Sequence, residues 1–265
     1  MRLIDATPIP LTSLHEWADW NGRTRGLKTH VIYDPDADRP VHLEITAATV
    51  NDVVVGRRQP IEPRATYVFD KAYADYAWWR RMHEAGCCFV TRPKSNVPLY
   101  GRVERPVSRH DRQTAGIESD TVVKLASQQR ARLPVPLRRI VLHREDGRLL
   151  TILSNDLQRS AGEIAALYRK RWQIELLFRW IKQHLKIRTF LGRSENAIRL
   201  QILAAMIAYL LLRIAAHDSR SGLLALRFAD LVRNRLLDRQ PVANLAKPPP
   251  KLCSDVQNQL AFAYA

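Results

Sequence analysis

The chain has 265 residues, 46% of them hydrophobic, which is long and apolar enough for one large domain with a buried core and argues against a disordered chain. Its 42 Lys and Arg exceed its 26 Asp and Glu, giving a formal net charge of +16. Such a surplus, spread along the whole chain, is typical of a nucleic-acid-binding protein, because the like charges repel one another unless a polyanion neutralises them.

The cysteines and the apolar segments indicate the cellular compartment. Three cysteines form neither a disulfide framework nor a zinc-binding spacing, which favours a reducing cytoplasm. The N-terminus lacks a signal-peptide layout, and the longest apolar run, residues 202–212, is too short to span a bilayer. We therefore expect a cytoplasmic protein with no membrane partner, and a buried helix at this apolar run.

The first part of the chain predicts a sheet. Short apolar runs bounded by turn residues predict strands, and the acidic stretch 34–39 predicts a solvated hairpin turn. A helix is predicted at 72–85 from hydrophobic residues spaced three apart. The predicted strands are 2–7, 27–33, 41–46, 66–70 and 87–91. This order predicts an α/β fold with a mixed sheet flanked by helices.

The second part of the chain is more varied. Arg, Pro and short β-like pieces in residues 96–138 predict a β-rich insertion, and a hairpin follows at 139–154. Ser160 and Glu163 have the spacing of a capping box, which predicts the start of one long helix ending near Lys186. A second, apolar helix is predicted at 197–217. The predicted organisation is a catalytic core in two parts, 1–95 and 139–235, separated by the insertion and followed by a loosely ordered tail at 236–265.

Two acidic residues lie where a strand would normally avoid them. Asp5 interrupts the first apolar strand and Asp70 ends the fourth, although removing a carboxylate from water is costly. Each alone is more often a cap or a salt-bridge partner. Together, on strands that could be neighbours, they are candidate ligands for divalent cations, since phosphodiester cleavage commonly uses two such ions held by carboxylates.

A third acidic residue lies within a column of cations on the long predicted helix. Spacings of three and four residues place six side chains in one stripe, namely Tyr168, Arg171, Glu175, Arg179, Lys182 and Lys186. The adjacent apolar face would pack on the sheet. The plain alternative is a solvated face on which Glu175 pairs with Arg171 and Arg179. Beside two strand acids in a basic protein, the stripe favours a site that follows phosphates.

The spacing of Tyr168, Arg171, Glu175 and Lys182 resembles the YREK signature of the D-D-E transposases of the insertion-sequence-four family. Two other segments agree with this resemblance, since LIDATPIPL is similar to the region of that family's first catalytic Asp and YVFDKAYADY to that of the second. The resemblance extends from residue 1 to about residue 235.

This resemblance implies an RNase H-like fold in which Asp5, Asp70 and Glu175 form a catalytic triad that binds two Mg²⁺ or Mn²⁺ ions. It implies cut-and-paste transposition by a nucleoid-associated homodimer acting on terminal inverted repeats and target DNA. Trp172 would either stack on an extruded base or pack in the core. The implied DNA contacts are Tyr168, Arg171, Trp172, Arg179, Lys182 and Lys186.

One departure from the family keeps other functions open. Family members usually carry a helical DNA-binding region before the first catalytic Asp, and this sequence shows none. The alternative is therefore a truncated, catalytically inactive remnant that only binds DNA. An unrelated RNase H-like nuclease fits the YREK spacing poorly, and a basic RNA-binding structural protein leaves the acidic residue in the cationic stripe unexplained.

Overall fold

The computed structural model describes residues 1–22, 25–126, 132–184, 190–218 and 228. Residues 1–205 form one compact unit and residues 206–265 another. The strands are β1 (Arg2–Pro10), β2 (Gly26–Asp34), β3 (Arg39–Ala47), β4 (Thr66–Phe69), β5 (Cys88–Thr91), β6 (Leu99–Glu104), β7 (Ile117–Leu125), β8 (Leu137–His143) and β9 (Leu149–Ser154). The helices are α1 (Asp52–Arg58), α2 (Tyr76–Glu84), α3 (Arg109–Ala115), α4 (Ala161–Arg169), α5 (Trp172–His184) and α6 (Glu195–Asp218), with a short 3₁₀ helix at Lys71–Tyr73.

The nine strands of the described residues form a single mixed sheet in the order β3-β2-β1-β4-β5-β9-β8-β7-β6. Its centre is parallel, because β4 pairs in parallel with both β1 and β5. Antiparallel strands extend the sheet on both sides. The predicted mixed sheet is therefore confirmed, and so is the hairpin turn between β2 and β3.

Helices cover both faces of the central strands, which explains why β4 and β5 are almost wholly apolar. On one face, Trp79 of α2 is fully buried, and its ring centroid lies 5.0 Å from that of Phe89 on β5. On the other face, α4 contacts β4, β5 and β9, and Ile164 is fully buried there. Helix α5 packs against β1, with Ile174 fully buried. The sheet is thus a rigid support for side chains that project from its central strands.

Two of the predicted elements differ from the structure. The first strand is longer than the predicted 2–7, since β1 spans nine residues and pairs with β2 from Leu3 to Pro10. The long helix after Ser160 is divided into α4 and α5. At the division, the amide of Arg171 bonds the carbonyl of Tyr168 and that of Gln173 bonds the carbonyl of Lys170. These contacts span three residues instead of four, so one tight 3₁₀-type turn replaces the α-helical path.

The residues predicted as an insertion contribute β6, α3 and β7, and both strands continue the sheet beyond β8. Arg138 on β8 ties this region to the loop that precedes α4. Its side chain is almost fully buried, its Nη2 donates to Asp120 of β7 at 2.6 Å, and its Nη1 donates to the carbonyls of Asp156 and Arg159. The predicted capping box of Ser160 then starts α4.

Helix α6 matches the predicted second helix, but much of its apolar surface is exposed. Ile207 is 57% exposed and Leu211 is 59% exposed, so the expectation of a buried helix at 202–212 is wrong for this face. Within the described residues, α6 is the one helix that is long and apolar enough to cross a membrane by length and composition. Core helices of soluble proteins pass the same test. The predicted tail at 236–265 lies outside the described residues.

Candidate active site

The first two candidate acids lie side by side on the central parallel strands. Leu3 of β1 pairs with Val68 of β4, and Asp5 and Asp70 each follow two residues later. Because side chains alternate along a strand, both carboxylates project from the same face. This is the face that α4 and α5 cover. The sheet register therefore brings together two residues that are far apart in the sequence.

The Asp5 carboxylate is largely removed from water and only partly compensated. Its Oδ1 accepts a hydrogen bond from the amide of Ala6 at 2.8 Å, and its Oδ2 lies 3.6 Å from Nη1 of Arg171. The pKa of Asp5 is raised to about 6, chiefly because burial disfavours the charged carboxylate, and the charges of Glu175 and Asp70 add to this effect while the Ala6 amide and Arg171 oppose it. The site thus brings carboxylates together where poor access to water disfavours their negative charge.

Arg171 links the first and third candidate acids. While Nη1 faces Asp5, Nη2 lies 2.6 Å from Oε1 of Glu175, which is in the first turn of α5. The 3₁₀-type turn places Arg171 at the junction of α4 and α5. The pairing expected for a plain solvated face is therefore present between Glu175 and Arg171, but Arg171 is only 19% exposed and also serves Asp5.

Three buried polar atoms at this corner have no hydrogen-bond partner among the described residues. They are Oδ1 of Asp70, the hydroxyl of Tyr168 and Nε of Arg171. Leaving a buried polar group unpaired costs about 1–3 kcal/mol, so folded proteins seldom collect several in one place. Such a cluster indicates a site whose polar groups are completed by a ligand.

The carboxylates of Asp5, Asp70 and Glu175 supply the oxygen donors that Mg²⁺ and Mn²⁺ prefer. The unpaired Oδ1 of Asp70 and the desolvated Asp5 fit a cation, which would satisfy both. Within the described residues no three acid, His or Cys side chains are close enough to hold an ion as they stand. The guanidinium of Arg171, between Asp5 and Glu175, provides the positive charge there.

A cavity of about 710 Å³ opens beside this corner. Tyr168, Arg171 and Trp172 line one side, and the turn after β8 lines the other. Trp172 is 51% exposed, so core packing is the wrong interpretation of this residue. The guanidinium carbon of Arg179 lies 5.5 Å from the Trp172 ring centroid, a cation–π contact that extends the basic surface along α5. Lys182 is half-buried, and Lys186 lies outside the described residues.

Four basic side chains that line the same cavity were not predicted from the sequence, namely Arg92, His143, Arg144 and Arg169. Arg92 directly follows β5, the parallel neighbour of β4, and so lies at the same carboxyl edge of the sheet as Asp70. A strand-end position was the signal that could have identified it. His143 and Arg144 lie at the β8–β9 turn, whose position relative to α4 only the fold reveals.

Comparisons with known proteins identify the family of this chain. Residues 1–211 match the family described as a transposase DDE domain. A putative transposase, y4zB, from Sinorhizobium fredii is 52% identical over 271 residues, covering 100% of this chain and 76% of that protein. The chain belongs to the transposase DDE-domain family. A probable transposase for insertion sequence element IS5377 from Geobacillus stearothermophilus is 30% identical over 244 residues, covering 91% of this chain and 64% of that protein.

A solved structure shows the same fold. A piggyBac transposase in a synaptic complex with hairpin DNA superposes with a TM-score of 0.53 at 11% identity, over 98% of this chain and 56% of that chain. The predicted RNase H-like fold is confirmed by this likeness. At such low identity the likeness carries no residue roles.

Family membership confirms that the chain is a DNA transposase, an enzyme that cuts and joins DNA strands. Domains of this family generally use divalent metal ions, and their partner is DNA. An unrelated nuclease and an RNA-binding structural protein are both excluded. The inactive-remnant alternative gains no support from the relatives, and the finer assignment to the insertion-sequence-four group stays a prediction.

Proposed function

We propose that this transposase cuts and joins the ends of an insertion sequence at a site formed by Asp5, Asp70 and Glu175. The supporting observation is the placement of two partly buried carboxylates at neighbouring parallel strands, with the third joined to the first through Arg171. Each acid comes from a different element, and the buried sheet fixes the first two. Because no three such side chains among the described residues are close enough to hold an ion as they stand, Glu175 would approach Asp5 and Asp70 when a cation binds.

The three carboxylates would hold two Mg²⁺ ions, or Mn²⁺ in their place. When bound, such ions activate the attacking oxygen and stabilise the oxygen that leaves. In the first step the oxygen of a water molecule would bond to the scissile phosphorus as the bond from phosphorus to the 3′-oxygen breaks, which leaves a 5′-phosphate and a 3′-hydroxyl. That 3′-hydroxyl would then attack a phosphorus of the strand to which the end is joined, so that one phosphodiester forms as another breaks and a 3′-hydroxyl leaves.

The chain's own side chains position the phosphate. Arg171 neutralises Asp5 and Glu175 before DNA arrives, and its Nε, which is buried without a partner among the described residues, would bind a phosphate oxygen once the site opens to DNA. The buried Tyr168 hydroxyl would donate to a neighbouring phosphate in the same way. Both groups therefore exchange an incomplete set of contacts within the protein for contacts with DNA.

The remaining proposed DNA contacts follow α5 away from this corner. Trp172 presents an exposed ring suited to stacking on an extruded base, supported by Arg179. Lys182 and Lys186 continue the predicted stripe. The proposed DNA partners are the terminal inverted repeats and the target, brought together by a homodimer in the cytoplasm at the nucleoid. In this proposal the element moves by cut-and-paste transposition.

The test is cleavage of a labelled duplex that carries the inverted repeat flanking the gene, with and without Mg²⁺. Glu175→Gln removes the third acid and keeps its size. Glu195→Gln is the matched control, because Glu195 also pairs with an Arg at 2.6 Å and four residues away, on α6. We expect metal-dependent nicking at the repeat boundary by the unchanged chain and by Glu195→Gln, and a loss of at least about 10³-fold in Glu175→Gln.

The same assay separates the alternatives. A chain that binds the duplex but never nicks it, even with Mn²⁺, is a remnant without catalytic activity. Nicking that persists in Glu175→Gln would show that the third acid is assigned wrongly.

A further inference from the structure

A second cavity, of about 420 Å³, lies outside the site described above. Its charged lining is entirely cationic among the described residues and consists of Arg92, Lys94, Arg102 and Arg139. The other lining residues are neutral, for example Ser95 and Thr151. We call this cavity the cationic cleft.

The cationic cleft adjoins the catalytic cavity without being part of it. Arg139 and Arg138 are consecutive on β8 and so point to opposite faces of the sheet. Arg138 faces the loop before α4, which places Arg139 on the other face. Arg92 lines both cavities and follows β5 at the sheet edge that also carries Asp70. A chain of phosphates could therefore pass from one cavity to the other around this edge.

The cations of the cleft are not neutralised within the described part of the chain. None of the four has a carboxylate oxygen within 4.0 Å there, whereas several other arginines are paired, for example Arg57 with Asp75 and Arg80 with Glu84. Four cations in one concave surface repel one another more strongly than the same charges dispersed over the surface. This arrangement fits a polyanionic partner.

We propose that the cationic cleft binds backbone phosphates of the DNA that is cut, at nucleotides beyond the scissile phosphate. This inference rests on the proposed function, since it assumes that the scissile phosphate lies at Asp5 and Asp70. Guanidinium groups bind phosphate oxygens in pairs of hydrogen bonds, and three of the four cations are arginines. The continuity through Arg92 favours the cut DNA over a separately bound target.

The first test uses the double variant Arg102→Ala, Arg139→Ala and fluorescence anisotropy with a duplex carrying the flanking inverted repeat, in EDTA. We expect affinity to fall at least about tenfold near physiological salt, and the slope of log affinity against log salt to become shallower by about 2, one unit for each lost phosphate contact. Arg80→Ala with Arg109→Ala is the matched control, because it removes two exposed arginine charges from α2 and α3, outside both cavities.

Charge-conserving replacement checks that the loss is electrostatic. Arg102→Lys with Arg139→Lys should keep most of the affinity if phosphates are bound, and circular dichroism should show the same fold for every variant. Equal losses in the alanine pair and in the control pair would overturn the proposal, because overall charge would then explain the effect.

A length series identifies which DNA occupies the cleft. Duplexes are shortened stepwise on either side of the cleavage point, and the affinity of each is measured. We expect shortening on one side to weaken DNA binding by the unchanged chain but to have little further effect on binding by the double variant Arg102→Ala, Arg139→Ala. If the double variant instead loses affinity only for a duplex without the repeat, the cleft binds target DNA and the proposal is wrong.

The outcome is independent of catalysis, because binding in EDTA requires no cleavage. If the chain never nicks DNA but the double variant loses affinity as described, the cleft proposal stands and the proposed chemistry is rejected. If nicking depends on Glu175 but the Arg102 and Arg139 substitutions leave DNA binding unchanged, the proposed chemistry stands and the cleft proposal is rejected.

Discussion

Two arginine–carboxylate clusters lie on the same sheet and differ in how completely their polar atoms are paired. At β7 and β8, Arg138 donates from Nε and Nη2 to Asp120 and from Nη1 to two backbone carbonyls. At the catalytic corner, Arg171 contacts Asp5 and Glu175, but its Nε has no partner in the described residues. We call the Arg138 cluster closed, because its guanidinium nitrogens all have partners, and the Arg171 cluster open, because some of its buried polar atoms have none among the described residues.

The difference separates structural from functional burial of charge. In a closed cluster no polar atom is left to bind a ligand, and removing one partner leaves an uncompensated charge in the interior. An open cluster retains unmet hydrogen-bonding capacity, here at Asp70 and Tyr168 as well, and this capacity lowers stability until a ligand uses it. Substitutions in the two clusters should therefore have opposite signatures, with stability lost in one and activity lost in the other.

The largest expected effect is at Asp70. Asp70→Asn should reduce metal-dependent cleavage by about 10⁴-fold, because one of three ion-binding carboxylates is lost. Stability should be unchanged or slightly higher, since Oδ1 of Asp70 has no partner to lose within the described residues. Initial nicking rates and denaturant unfolding measure the two quantities. Asp19→Asn, at an exposed aspartate, is the control and should change neither.

Arg138 should show the reverse pattern. Arg138→Met keeps the length of the side chain but leaves Asp120 buried without its main partner, so we expect a loss of about 3 kcal/mol in the free energy of unfolding. Arg105→Met is a matched control, because Arg105 lies farther from Asp120, at 3.6 Å, and is 32% exposed. Equal losses in the two variants, measured by urea unfolding, would contradict the closed-cluster interpretation.

The open cluster was partly visible in the sequence. Asp5 and Asp70 stood out because acids are rare in apolar strands, and Glu175 because its spacing from Tyr168, Arg171 and Lys182 matched a family signature. The pairing of Glu175 with Arg171 was foreseen, but the contact of Arg171 with Asp5 was not. It depends on the 3₁₀-type turn after Tyr168, and no Pro or Gly in this stretch marks a break.

The rest of the fold was predicted where hydrophobic periodicity was strong. The strands of the core, the capping box of Ser160 and the hairpin at 139–154 were predicted close to their observed places. Helices α1 and α3 were missed, since seven residues are too few to show a helical period. Arg92 follows a predicted strand, but only the sheet order shows that this strand end lies at the same edge as Asp70.

The smallest of the three effects concerns Asp5 and sharpens the comparison through pH. Because burial raises the pKa of Asp5 to about 6 from 3.8, the folded state binds a proton more tightly than the unfolded chain does. The tighter proton binding stabilises the folded state in full below about pH 4, and this stabilisation is lost as the pH rises through 6. Asp5→Asn has no charge to bury, so without metal it should be more stable than the unchanged chain at pH 8, by on the order of 2 kcal/mol.

Urea unfolding in EDTA at pH 8 and at pH 4 measures this difference, which should nearly vanish at the lower pH. Adding Mg²⁺ at pH 8 should then stabilise the unchanged chain and leave Asp5→Asn almost unaffected, because the ion would compensate the carboxylate that burial disfavours. An Asp5→Asn chain less stable than the unchanged one at pH 8 would mean that Arg171 and the Ala6 amide already compensate Asp5 fully. The catalytic corner would then be as closed as the Arg138 cluster, and the contrast between the two would fail.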